Sequence, residues 1–173
     1  MRVERLKPAQ VDEYRAIMLK AYAAEPHAFT STVPEREVLP LEWWTSRVSD
    51  EPDPAELVYG AFVGAQLVGV AGLRFGSRQK IEHKAFLYGI FVLPEFRNQG
   101  IARALVQAVL KHARGMPRIR VVQLRVTQSN NPAIRLYESC GFKPYGSEPF
   151  AMRLGEQFVS VLHMWCAVDQ DID

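Results

Sequence analysis

Cysteine is scarce: Cys140 and Cys166 are the only two among 173 residues, far apart and without a paired spacing. Neither a disulfide framework nor a thiolate zinc site is thereby suggested, and both thiols are expected to be buried or half-buried. Histidine offers no metal pattern either, because His27, His83, His112 and His163 are scattered and none stands four residues from another on a helix. No metal is expected. No apolar run approaches the ~20 residues that cross a bilayer. The opening Met1-Arg2-Val3-Glu4-Arg5-Leu6-Lys7 lacks the apolar stretch of a secretory signal. Neither a membrane partner nor export is expected, and the location inferred is cytoplasmic. An excess of one charge is missing too: 21 basic side chains stand against 19 acidic ones, a net charge of +2. The small cluster Arg118, Arg120 and Arg125 has no aromatic residues interleaved with it, so it reads as a solvated face and not as a nucleic-acid groove. Internal repeats and low-complexity tracts are absent.

What is present suits one soluble domain over residues 1–173, with 48% hydrophobic residues and enough length to bury a core. Residues 2–7 alternate in part and are expected to open with a strand. Pro8 then starts a helical pattern with Val11, Tyr14, Ile17, Met18 and Ala21 on one inward face. Residues 25–54, rich in Pro, Thr, Ser and Glu, read as a mobile cover, with Trp43 and Trp44 at helical spacing to Val48. Two β-rich runs, 57–62 and 66–75, flank a turn in which Gly64 can supply a positive φ, which predicts an antiparallel hairpin. The run 84–93 is nearly all apolar and reads as a strand buried on both faces, closed by Pro94. Residues 101–114 form the clearest helix, with Ile101, Leu105, Val106, Val109, Leu110 and Ala113 at helical spacing and Gly115 and Pro117 beyond its end. A strand over 119–127, a short helix over 132–139 ended by Gly141, a segment punctuated by Gly and Pro, and a strand around 157–168 complete the pattern.

Between the 84–93 strand and the 101–114 helix lies Arg97-Asn98-Gln99-Gly100-Ile101-Ala102. A helix N-terminus presents unpaired N–H groups and roughly half a positive charge, which favour an anion such as phosphate. Gly100 lets backbone approach oxygen atoms closely, Ala102 keeps the next contact small, and Arg97 adds charge at the entrance. The lysine and hydroxyl of a P-loop are missing, which disfavours a nucleoside triphosphate with Mg²⁺, and so is the three-glycine dinucleotide fingerprint. An R-x-x-G-x-A match alone is weak. Its setting is not: buried strand, Pro-Glu turn, match, amphipathic helix and a further strand follow in the order a phosphate site needs.

Three features resemble the GNAT superfamily of N-acetyltransferases. They are the strand ending in Val92-Leu93-Pro94-Glu95, the [QR]-x-x-G-x-[GA] match from Arg97 to Ala102, and the segment running from Asn130 through Ala133, Leu136 and Tyr137 to Gly141 and Phe142. The last is similar to the family's N-x-x-A-x-x-L-Y-x-x-x-G-F signature at every specified position. The resemblance implies an α/β fold whose central sheet is mixed but mostly antiparallel, flanked by helices, with the fourth and fifth strands splayed apart. It implies acetyl-CoA as cosubstrate, its pantetheine arm bonded to the backbone of Ile90, Phe91 and Val92. The pyrophosphate then falls on Arg97, Asn98, Gln99, Gly100, Ile101, Ala102 and Arg103, with Asn130 and Tyr137 facing the cofactor from the other side. A homodimer is a further implication.

Acetyl transfer to an amine needs an unprotonated amine, a stabilised oxyanion and a protonated leaving thiolate. A backbone N–H near Ile90 can receive the oxyanion, a contact worth roughly 3 kcal/mol when preorganised. Read alone, Tyr137 fits a core aromatic packed beneath Phe142. With the signature it becomes the general acid, since a phenol of pKa about 10 matches a thiolate of similar basicity. The base is less clear. Some family members carry a glutamate on the fourth strand at the position of Phe86; here the candidates are Tyr88 on the same strand face and Glu82 and His83 at the strand's entry, acting through water, against the alternative of an ordinary exposed strand end. Phe29, Trp43 and Trp44 are candidates for shaping the acceptor pocket, or for anchoring the cover as apolar residues. Glu25, Glu35 and Glu37 can attract a cationic amine or simply be solvated. The expected activity is acetyl transfer to a primary amine of a small molecule or protein. A noncatalytic acyl-CoA sensor of the same fold is the alternative.

Overall fold

The computed structural model describes residues 1–168, so positions 169–173 of the expected domain lie outside the described residues. Strands β1 (Arg2–Arg5), β2 (Glu56–Val63), β3 (Gln66–Phe75), β4 (Lys84–Val92), β5 (Val121–Thr127), β6 (Lys143–Leu154) and β7 (Gln157–Ala167) form one sheet in the order β1-β2-β3-β4-β5-β7-β6. Every pairing is antiparallel except β4 with β5. The helices are α1 (Val11–Ala24), α2 (Val33–Glu37), α3 (Leu41–Thr45), α4 (Ile101–Arg114) and α5 (Asn131–Ser139). No helix among the described residues is long and apolar enough to cross a membrane.

The periodic segments fold as their patterns dictate. In α4 the six apolar positions Ile101, Leu105, Val106, Val109, Leu110 and Ala113 are all buried, and the helix lies against β1 to β4. In α1 the same holds for Val11, Tyr14, Ile17, Met18 and Ala21. Gly64 closes the β2–β3 hairpin at φ 60°, as expected of its turn.

Two expectations need correction, and one unassigned segment gains an element. Residues 25–54 are an ordered part of the wall: Thr32 and Glu35 form a reciprocal cap on α2, and α3 plants Trp44 in the core, fully buried, 5.9 Å from the Tyr14 ring. A Pro- and Thr-rich composition concealed this, because helices of five residues carry too little periodicity to read. The segment punctuated by Gly and Pro, to which no element was assigned, is a strand over 143–154. Pro144, Gly146 and Pro149 are tolerated because β6 is an edge strand whose register slips at Pro144–Gly146 and at Glu148–Met152. Finally, β4 is buried on both faces only at its end, at Phe91 and Val92: before that Ala85 and Leu87 are buried, while the alternate residues Lys84, Phe86 and Tyr88 are half-buried.

The reason lies in what β4 faces. Its parallel ladder with β5 covers Lys84–Phe86 against Val121–Gln123, and beyond those residues the two strands part. On its other edge β4 keeps pairing with β3, but Val70 stands opposite Phe91 and Gly72 opposite Tyr88, so Ala71 alone faces the two residues Gly89 and Ile90. That is a β-bulge, and Gly89 sits in it at φ 62°, a conformation that glycine adopts without a Cβ penalty.

Gly72 has a different task. A Cβ there would stand 2.4 Å from Cζ of Tyr88, so the phenol ring lies directly over the glycine. Gly72→Ala is expected to displace that ring and lower stability by about 1–3 kcal/mol, read as a drop in the thermal midpoint.

Candidate active site

Where β4 and β5 part, a cavity of about 1060 Å³ opens, walled by β4, β5, α1 to α3, the start of α4, α5 and the β6–β7 hairpin. The backbone of Gly89, Ile90, Phe91 and Val92 runs along it. Because β5 has moved away, this edge of β4 meets the cavity and not a neighbouring strand. Buried backbone donors and acceptors demand partners, so the edge is suited to a ligand that bonds like a strand.

At one end stands the N-terminus of α4. Arg97, Asn98, Gly100, Ile101, Ala102 and Arg103 line the cavity; Gln99 is exposed and does not. Gly100 is the N-cap at φ 77°, and a Cβ built on it meets nothing within 4 Å. Its role is therefore double: it permits the left-handed turn and leaves the approach to the helix N-terminus clear. Asn98, at φ 61°, adds a second left-handed residue to the loop. Arg97 is braced by its Nε–H donating to the Val92 carbonyl (3.0 Å) and by an ion pair with Glu25 (2.8 Å).

Tyr137 is buried and lines the cavity, its ring edge-on to Phe142 at 6.0 Å. The packing and the cavity-facing positions thus coexist. Its hydroxyl has no hydrogen-bond partner among the described residues, and burial pushes its pKa well above the ordinary 10. It therefore stays protonated. Asn130 also lines the cavity, but its side-chain oxygen accepts from the Ala133 N–H (3.2 Å) and so caps α5.

Among the base candidates the structure separates Tyr88 from the other two. Glu82 is exposed and His83 half-buried, and neither lines the cavity. The closed ladder Lys84–Phe86 stands between them and the splay, and the His83 carbonyl accepts from Arg120 N–H (2.9 Å). Tyr88 faces the cavity and donates its hydroxyl to Glu56 Oε2 at 2.7 Å, while Arg47 forms an ion pair with the same oxygen at 2.8 Å. Burial, first of all, raises the Tyr88 pKa well above 10. Glu56 and Arg47 escaped the sequence reading because they sit at a strand start and after a five-residue helix, without local spacing to join them.

Phe29 lines the cavity, edge-on to Tyr22 at 5.4 Å. The two tryptophans diverge: Trp43 lines the cavity, whereas Trp44 is core and touches none of it. The acidic residues expected to attract a cation are engaged elsewhere, Glu25 with Arg97 and Glu35 with the backbone and hydroxyl of Thr32, which hold its carboxyl below the usual range. Glu37 is exposed. Arg125 and His163 line the cavity from β5 and β7, and both reach Glu148 Oε2 outside it, at 2.8 and 3.0 Å.

The model of the Acetyltransferase (GNAT) family matches residues 17–142, and the chain belongs to that family. It is similar to the L-amino acid N-acetyltransferase AaaT of Escherichia coli K12, 28% identical over 162 residues that cover 92% of this chain and 94% of that protein. It is also similar to the N-alpha-acetyltransferase RimI of Mycobacterium tuberculosis, 38% identical over 88 residues covering 50% and 52% of the two chains. A GNAT acetyltransferase structure from Streptococcus pneumoniae shares the fold with a TM-score of 0.86 at 21% identity, covering 97% of this chain and 99% of that one. Family and relatives together support acetyl transfer as the chemistry, and the family implies acetyl-CoA as cosubstrate.

The hydrogen bond from His163, followed by the Arg125 charge, lowers the Glu148 pKa below its ordinary 4.5. Such a group stabilises the folded state above its unfolded pKa, and the contribution is lost as pH falls through the lowered folded value. In thermal unfolding between pH 5 and about pH 3, Glu148→Gln is expected to flatten the fall in midpoint relative to the wild type.

Proposed function

We propose that this protein is an N-acetyltransferase that uses acetyl-CoA and passes the acetyl group directly to a primary amine of a small molecule or protein. The observation that carries this reading is one continuous trough: the free edge of β4 from Gly89 to Val92 leads into the N-terminus of α4, with Tyr137 on the facing wall. The residues fit the cosubstrate. A strand edge suits the amides of pantetheine, and a clear helix N-terminus with Arg97 and Arg103 beside it suits a pyrophosphate.

In this reading the amine nitrogen attacks the thioester carbonyl carbon, forming the C–N bond. The carbonyl oxygen gains negative charge and is met by a backbone N–H near Ile90. When the C–S bond breaks, Tyr137 gives its proton to sulfur; burial keeps the phenol protonated at rest, and because the same burial disfavours a thiolate, the basicity of the departing sulfur rises with that of the phenol. The proton lost by the amine passes to the Tyr88 oxygen as Tyr88 delivers its own to Glu56, 2.7 Å away.

A test follows the free thiol released from acetyl-CoA over a broad panel of amines. Release with at least one amine, reduced about tenfold or more in Tyr137→Phe at unchanged cofactor affinity, is the expected result. Tight cofactor binding without release above the water background for any amine would instead fit a noncatalytic acyl-CoA sensor. Calorimetry supplies an independent check on the cradle. Gly100→Trp should weaken acetyl-CoA binding about a hundredfold while the circular dichroism spectrum is retained, since the indole fills the space before α4 and the site requires φ 77°. Normal affinity would disprove the cradle.

A further inference from the structure

The acceptor end of the cavity is cationic. Arg36 and Arg47 both line it, and both guanidiniums lie against the Trp43 ring, their Cζ atoms 4.6 and 3.8 Å from its centroid. Arg74 joins them from β3, opposite Glu56 in the β2–β3 register. Acidic compensation is incomplete. Glu56 pairs with Arg47, but no carboxylate among the described residues lies within ion-pair distance of Arg36 or Arg74. The adjacent Glu35 is held by Thr32. Arg36 spends only one of its five N–H groups, on the Ser31 hydroxyl at 2.7 Å.

These charges are distinct from the phosphate end. From Tyr88, which Arg47 approaches at 3.4 Å, to Val92 is about 13 Å of strand, and the α4 cradle lies beyond Val92. A half-buried guanidinium stacked on an aromatic ring and short of acceptors is preorganised for a planar anion. We infer that the acceptor is a primary amine bearing a carboxylate next to the amine, an α-amino acid type of molecule, with the carboxylate held by Arg36 and Arg47. The inference rests on the transferase reading above and names its substrate class.

The same charges bear on the reactive nitrogen. An ammonium beside guanidiniums loses its proton more readily than in water, so the pocket raises the fraction of neutral, nucleophilic amine. Tyr88 and Glu56, adjoining Arg47, then have less to remove. Polyamines are disfavoured by the same field. Beyond the carboxylate, Met18, Tyr22, Phe29 and Ile90 offer an apolar wall for a side chain.

The experiment compares leucine, leucinamide, isopentylamine and spermidine as acceptors in the thiol-release assay. Leucine should exceed each of the other three by about thirtyfold or more in kcat/KM, chiefly through KM. In Arg36→Gln the leucine-to-leucinamide ratio should collapse towards one while acetyl-CoA affinity by calorimetry stays at the wild-type value. Leucinamide, isopentylamine or spermidine equalling leucine in the wild type would overturn the inference and leave the transferase standing. Loss of acetyl-CoA affinity in Arg36→Gln would overturn it too, reassigning the cation to the cofactor. Release with none of the four, alongside release with another amine of the broad panel, overturns only this inference; silence across the whole panel removes the transferase reading itself. The wild-type comparison decides the matter even if the variant does not fold.

Discussion

The parting of β4 from β5 after three paired residues is the constraint on which the rest of the molecule turns. A strand inside a sheet satisfies its N–H and C=O groups on both edges, and β4 does so only as far as Phe86. From there one edge is released into a cavity that would be costly to leave dry and unpaired. The neighbouring elements are arranged around that gap: α4 begins where β4 ends, α5 caps the far wall, and α1 to α3 close the side nearest Tyr88. The bulge at Gly89 adds a local twist to the released strand, re-aiming its backbone just where the sheet stops pairing.

Two scales of pattern explain what could be read in advance. The long amphipathic helices α1 and α4 and the hairpin β2–β3 repeat their signal over many residues, so composition and periodicity were enough. The glycine-capped start of α4 was legible because its residues are consecutive, from Arg97 to Arg103. The Tyr88–Glu56–Arg47 group was not, since its members come from three elements that only the folded sheet brings together. Glycine inside a strand is a known sign of a bulge, and Gly89 carried that sign unread. In β6 the strand went unread because Pro and Gly punctuate it, but at a sheet edge a missing N–H is tolerated.

Charge gave the plainest divergence between linear and folded reading. Along the chain, Glu25, Glu35 and Glu37 make the cover look acidic. Folding ties Glu25 to Arg97 and Glu35 to Thr32, and turns Arg36 and Arg47 towards the cavity. Net charge along a loop therefore said little about the field inside the pocket, because paired carboxylates contribute almost nothing at a distance.

The division of labour along the chain has a consequence for how such a protein can change. In the proposed reading, the groups facing the donor belong to β4, α4 and α5, elements of the common sheet and core. Arg36, Trp43 and Arg47 belong to one short contiguous stretch, fastened by the α2 cap at one end and by Trp44 and Val48 at the other. If the acceptor is held as proposed, exchange of those dozen or so positions, with the two fastenings kept, would alter which molecule is accepted and leave the proposed thioester half untouched. On that reading the fold pairs a fixed engine with a replaceable intake.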